Sequence, residues 1–277
     1  MSMPYAAQRY AATRPWAKRA GQIFSQTLKV EDASASLAEA VRRELERAAQ
    51  VFAVSEETCR NEGLLALAYG CFVRGGRVIA HLDGALAAAL AATRLPTQLP
   101  DTLRLPAESC FLHVDGLGGA FLYHDSRDAA LDLVLVGAEL GDDSTAWLEE
   151  AEPVVALRVG YPGELAAQLS EVPEAWQPLL NAVIGAIAVL TQPKAELARE
   201  WEAVAPAELV AATQDGATPK ARQKARSALL TQGYVEVTHC RYPELAAGVA
   251  YGTQGYWRRQ QFGEDKANSR LVWVQPR

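Results

Sequence analysis

The sequence predicts an α+β protein: an N-terminal helical region, an antiparallel sheet with a buried central helix, and a C-terminal β-hairpin. Three observations predict it. Apolar residues recur at helical spacing through the first third, strand-type alternation with glycine turns begins near residue 110, and a nearly all-apolar segment, Leu179–Leu190, follows the strands. A chain of 277 residues can bury one large core or two modest ones, so all three parts can fold around shared apolar layers.

The elements follow in order. Ala33–Phe52 sets Leu37, Val41, Leu45 and Phe52 near helical spacing, with Arg42, Arg43, Glu46 and Arg47 on the other side. Ser55 followed by Glu56 and Glu57 reads as an N-cap with an acidic first turn, opening a helix that stops near Gly75 and Gly76. The Ala/Leu-rich stretch Val78–Thr93 predicts another helix, within which His81 is a packed or capping residue. Pro96, Pro100 and Pro106 mark an extended connector. Cys110–Asp115 and Ala120–His124 then form a hairpin across a glycine turn, Ala130–Leu140 adds a third antiparallel strand, and Val154–Val159 a fourth.

Helices are expected at Gly163–Leu169 and Pro173–Leu190, and a short amphipathic one between Pro193 and Trp201. Residues 206–232 read as a linker or surface helix broken at Gly216, with Lys220, Arg222, Lys224 and Arg226 at every other position. Tyr234–Cys240 and the terminal hairpin close the chain. The resulting organisation is a helical region (1–95), strands plus a buried helix (96–205), a basic segment (206–233) and C-terminal strands (234–277), which together can also make one compact domain.

Charge is distributed unevenly. Residues 1–30 carry five Lys or Arg and no acid, and residues 218–277 carry ten against four acids, leaving a middle with 12 basic and 29 acidic residues. The net charge of −6 argues against a uniformly basic nucleic-acid binder. Two readings of the basic ends follow: they pack on the acidic body, or they present a basic face to RNA or to an acidic protein. The four cysteines lie far apart and form no Cys-x-x-Cys pair, which suits reduced, buried thiols in a cytoplasmic protein. The longest apolar run is too short to span a bilayer, so no membrane role is expected.

Chemistry-bearing clusters are sparse. His113, Asp115 and His124 are expected to share one face of the hairpin, where two imidazoles and a carboxylate can hold a divalent metal. They also read as ordinary polar groups, with Asp115 shaping the turn. Their spacing matches no metal motif, so no metal or other cofactor is assigned. No Gly-x-Ser-x-Gly elbow, phosphate loop or dinucleotide fingerprint is present, and Cys240 between His239 and Arg241 reads as a buried strand thiol.

The C-terminal segment differs. In Tyr256-Trp-Arg-Arg-Gln-Gln-Phe262, strand alternation sets Trp257, Arg259 and Gln261 on one face and Tyr256, Arg258, Gln260 and Phe262 on the other. Arginine, glutamine and aromatics are the usual residues of protein hot spots and also of RNA stacking and phosphate contacts. Tyr256, Trp257, Arg258, Arg259, Gln260, Arg270 and Trp273 are therefore the candidate binding residues. The arginines also have an internal use, pairing with the acidic middle of the chain.

Gly255-Tyr-Trp-Arg-Arg-Gln-Gln-Phe-Gly263, a polar loop, and Leu271-Val-Trp-Val-Gln-Pro276 resemble the ending of a phage- and plasmid-borne family. That family reads roughly Gly-His-Trp-Arg-x-x-x-Tyr-Gly, then aliphatic-Trp-aliphatic-x-Pro, and includes the anti-CRISPR proteins that block production of the type V-A nuclease. Leu105-Pro-Ala-Glu-Ser-Cys110 and the apolar helix at Leu179–Leu190 are similar in order as well. Tyr256 stands where the family usually has histidine, which removes any histidine chemistry from that position. The resemblance implies a non-enzymatic inhibitor of host defence, carried by a mobile element, that binds a CRISPR-Cas protein, complex or nascent chain. An RNA-binding or RNA-cleaving accessory factor is the alternative, and a plasmid maintenance protein with a purely structural tail is a third.

Overall fold

A computed structural model of the chain describes residues 3–26, 30–50, 54–95, 97, 105–125, 127–143, 146–161, 164–190, 195–242, 256–264 and 268–274. Helices α1 (Ala6–Thr13), α2 (Ala17–Gln26), α3 (Val30–Ala49) and α4 (Glu56–Arg74) open it. Strand β1 (Val78–Leu82) and helix α5 (Gly84–Ala91) follow, then β2 (Ser109–Val114), β3 (Gly118–Asp125) and β4 (Ala130–Val136). Short helix α6 (Ala146–Glu149), strand β5 (Val154–Gly160) and short helix α7 (Leu165–Gln168) lead to α8 (Gln177–Leu190). Strand β6 (Glu196–Trp201), helices α9 (Ala207–Asp215) and α10 (Pro219–Thr231), β7 (Glu236–Arg241), β8 (Tyr256–Phe262) and β9 (Asn268–Val274) complete the order.

The main sheet runs β5-β4-β3-β2-β1-β7-β6, and β8 with β9 makes a separate two-stranded sheet. Strand β1 pairs parallel with both β2 and β7, while the flanking pairs are antiparallel. The sheet is thus mixed, not antiparallel throughout, although helices and strands segregate as expected of an α+β chain. The parallel centre was hidden because β1 lies inside Val78–Thr93, which reads as one helix. A central strand is apolar on both faces, so its sequence carries no alternation to distinguish it from a buried helix. The break is local: Asp83 caps α5, its Oδ1 accepting from the Leu86 amide at 2.9 Å.

Two further expectations change. The segment before Trp201 is edge strand β6, not a helix; its exposed Glu196, Arg199 and Glu200 are charges that protect a sheet edge. Residues 206–232 form two helices, with Thr218 capping α10 and Pro219 at its first turn. The Ser55 cap holds as read, its hydroxyl accepting from the Thr58 amide.

Each sheet face carries a helical layer. Leu82, Leu112, Leu122 and Leu133 pack with α5 and α8, whose Leu180, Val183, Ile184 and Ile187 are wholly buried. Each such side chain contributes roughly 1.5–3 kcal/mol of burial. Gly185 permits this approach, since a Cβ there would lie 2.8 Å from Leu90 Cδ2. On the opposite face Ile79, Phe111, Phe121 and Val237 meet Tyr10, Trp16, Tyr69 and Phe72 of the N-terminal helices and the segment joining α1 to α2. Trp257, Leu271 and Trp273 of the terminal hairpin join the α5/α8 side.

The N-terminal charges are used internally. Arg14 is buried against Glu62 (3.0 Å) and Glu152 (2.9 Å), with its guanidinium 4.6 Å from the Trp147 ring. Arg9 pairs with Asp142 and bonds the Leu140 carbonyl. For these two residues, basic ends packing on an acidic body is what the fold shows.

Candidate functional site

Sheet register gathers three of the four histidines of the chain into one row. His81 on β1 lies opposite His113 on β2 and His239 on β7. Ile79, Phe111 and Val237, two residues earlier in each strand, belong to the core on the N-terminal helical side, so strand alternation turns all three imidazoles to that face. The His81 ring centroid is 5.0 Å from that of His113 and 5.2 Å from that of His239.

Two further groups complete the cluster. Asp115, just beyond β2, sets Oδ1 3.0 Å from His81 Nε2 and 3.2 Å from His113 Nε2. Tyr5, the residue that precedes α1, brings its hydroxyl to 3.1 Å from His81 Nδ1 and its ring edge-on to His113. Burial, and then the neighbouring His81, hold His113 and His239 below the usual imidazole range. Burial, then Glu202 and Asp115, push the Tyr5 phenol up to about 12. Near neutral pH His113 and His239 are therefore neutral imidazoles, the form that accepts a proton or ligates a metal, beside the un-ionised Tyr5 hydroxyl. Among the described residues, one ligand atom from each of His81, His113 and Asp115 lies within 4.8 Å of the others.

This keeps His113 with Asp115 but replaces the expected third member. A four-residue turn at 116–119 between the expected strands would pair His113 with Leu122, whereas His113 pairs with Gly119 and Leu122 with Cys110. The register differs by an odd number of residues, which exchanges faces. His124 consequently lies with Leu122 on the α5/α8 side, its Nε2 bonded to the Tyr161 hydroxyl. Tyr5, His81 and His239 were missed. The available signal was a repeated shape, a histidine late in an apolar strand-length run: Val78-Ile-Ala-His-Leu82, Cys110-Phe-Leu-His-Val114 and Val237-Thr-His-Cys240. Cys240 is buried as read, its thiol pushed up to about 12 by that burial.

The C-terminal hairpin has the expected alternation. Trp257 faces Trp273 across the pair with ring centroids 5.3 Å apart, and both are buried with Leu271. Arg258, Gln261 and Phe262 are exposed, and Gln260 is half-buried. The backbone of Tyr256, Arg259 and Arg270 pairs with Val274, Leu271 and Gln260; their side chains lie outside the described set. Of the candidate binding residues, the two tryptophans thus anchor the hairpin and Arg258 reaches solvent. A third feature is a cavity of about 480 Å³ between α4 and strands β3–β5, lined by Leu64, Leu67, Phe121, Tyr123 and Val134 with Arg158 at its rim.

Residues 80–277 match the AcrVA2-like family, anti-CRISPR type V subtype A2. The chain belongs to this family. The matched stretch contains His81, His113, Asp115, His239 and the terminal hairpin, and leaves out Tyr5 and α1–α4. The protein is accordingly an inhibitor of CRISPR defence. Its fold is also similar to the crystal structure of AcrVA2, with a TM-score of 0.53 at 12% identity, over 97% of this chain and 96% of that one. No curated protein sequence matches the chain. Among the described residues, no helix is long and apolar enough to cross a membrane.

Proposed function

We propose that the protein is carried by a mobile element and blocks host defence without chemistry of its own, by binding a CRISPR effector subunit, its complex or its nascent chain. The observation that carries this reading is the terminal hairpin of a chain in the anti-CRISPR type V subtype A2 family. It is held by Trp257, Leu271 and Trp273 and offers Arg258 and Phe262 to solvent. Arginine and aromatic side chains on a two-stranded support anchored by buried tryptophans are well suited to a protein contact. Co-purification from a host carrying a type V-A system is expected to recover a CRISPR component. Arg258→Ala, which leaves the anchor intact, should weaken that recovery. If the wild type recovers none, and a CRISPR-targeted plasmid transfers no better in its presence, the reading fails.

A second reading, RNA binding, is favoured by one surface. Arg199, Trp201, Arg222 and Arg226 line a cavity of about 350 Å³ between β6 and α10, with Lys220 and Lys224 exposed alongside on the helix. Cations beside an indole suit a phosphate backbone with a stacked base. Arg226 is already committed, however, to Glu236 at 2.6 Å and to the Trp201 ring. RNA affinity falling steeply with added salt would favour this reading over protein binding.

A further inference from the structure

The geometry points to a metal site: we propose that His81, His113 and Asp115 bind one divalent first-row transition ion of the zinc or ferrous type. This is independent of which partner the terminal hairpin contacts.

The position is a favourable one. His81 and His113 are the penultimate residues of the parallel strands β1 and β2, and Asp115 immediately follows β2. Ligands of sheets with parallel strands gather beyond the carboxyl ends of those strands, where side chains from adjacent strands converge. The distances fit as well. A tetrahedral ion with bonds of about 2.0–2.1 Å needs ligand atoms separated by roughly 3.3–3.4 Å. Asp115 Oδ1 already stands 3.0 and 3.2 Å from the two Nε2 atoms, and the set lies within 4.8 Å in all.

Donor chemistry selects the class of ion. Two imidazoles and one carboxylate suit zinc, or the facial two-histidine, one-carboxylate arrangement of ferrous iron, whereas calcium and magnesium take oxygen ligands. Three protein ligands leave a coordination position for water or a partner group. The Asp115 side chain is 39% exposed and that of His81 20%, so that position has access to solvent.

One neighbouring group, Tyr5, is placed to support a metal ligand. With Nε2 on an ion, His81 Nδ1 must carry the proton, and the Tyr5 oxygen at 3.1 Å is placed to accept it. A hydroxyl can donate or accept, so the same contact serves the metal-free tautomer, in which His81 Nε2–H donates to Asp115. His113 Nδ1 is buried with no hydrogen-bond partner among the described residues. The position of this imidazole is set by the edge-on rings of Tyr5 and His81 and by Nε2, the atom that faces Asp115 and the proposed ion.

The test uses the full chain, stripped with a chelator, equilibrated separately with zinc or ferrous ion (the latter without oxygen), dialysed and analysed for bound metal. About one equivalent of at least one ion is expected. Cobalt(II) should give the visible absorption of a tetrahedral or five-coordinate site. His81→Ala, His113→Ala and Asp115→Asn should each lower affinity at least tenfold, with far-UV circular dichroism confirming folding. His124→Ala, on the other face of the sheet, should bind as the wild type does. Tyr5→Phe should weaken binding less than loss of a ligand and alter the cobalt spectrum, as expected of a positioning residue. Failure of the wild type to hold either ion would overturn the proposal, leaving the cluster a structural clasp on α1. Equal retention by the three ligand variants and His124→Ala would overturn it too.

Discussion

Glu62 offers a quantitative test of how the N-terminal helices are held to the body. It is wholly buried on α4, and Arg14 reaches it with Nε at 3.1 Å and Nη2 at 3.0 Å. Burial nonetheless outweighs that attraction and pushes the carboxyl up to about 7. An unfolded glutamate titrates near 4.3, so the folded state holds the extra proton between these values. Stability from this group is complete below the unfolded value and is lost as pH rises through about 7. Between pH 5 and pH 8 the loss amounts to about 2.5 kcal/mol. Glu62→Gln cannot titrate, so its unfolding free energy should be flatter over this window by that amount. Urea unfolding at several pH values, followed by circular dichroism, measures the difference. Every other titratable group, including His113 and His239, is common to both proteins and cancels in the comparison. Parallel pH profiles for wild type and variant would refute the reasoning, as would a wild type that gains stability relative to the variant as pH rises.

Other expectations follow from particular contacts. Gly118 has φ of +121°, and a Cβ there would lie 2.2 Å from the Val136 carbonyl, so Gly118→Ala should cost at least about 2 kcal/mol in thermal unfolding. Trp273 Nε1 is buried with no hydrogen-bond partner among the described residues. Trp273→Phe, which removes that orphan donor, should therefore stay within about 1 kcal/mol of wild type, while Trp273→Ala should cost about 3–5 kcal/mol. Cys59 alone among the four thiols is exposed, and burial pushes Cys71 up to about 11 and Cys110 and Cys240 to about 12. A disulfide reagent should thus modify one thiol rapidly in the native protein and all four after denaturation.

Much of the local structure was legible because its causes are local. The Ser55 cap, the break at Gly216, the apolar helix ending at Leu190 and the terminal hairpin rest on side chains next to the backbone they satisfy, or on a periodicity within one element. The tail also carried the family likeness. Misreadings fell where a neighbour far along the chain decides the conformation. Val78–Leu82 is a strand because β2 and β7 flank it, and Glu196–Trp201 is a strand because β7 receives it.

The histidine row shows the same division more sharply. Local pattern brought His113 and Asp115 to attention together, since residues two apart in an extended segment share a face. It could not supply His81, 32 positions earlier, or Tyr5 and His239 near opposite ends of the chain. Nor could it exclude His124, because face assignment reverses with an odd change of register and register is set by the whole sheet. Helix caps, apolar periodicity and family membership are thus properties of the linear chain. Whether three imidazoles meet is a property of strand order, which only the folded core imposes.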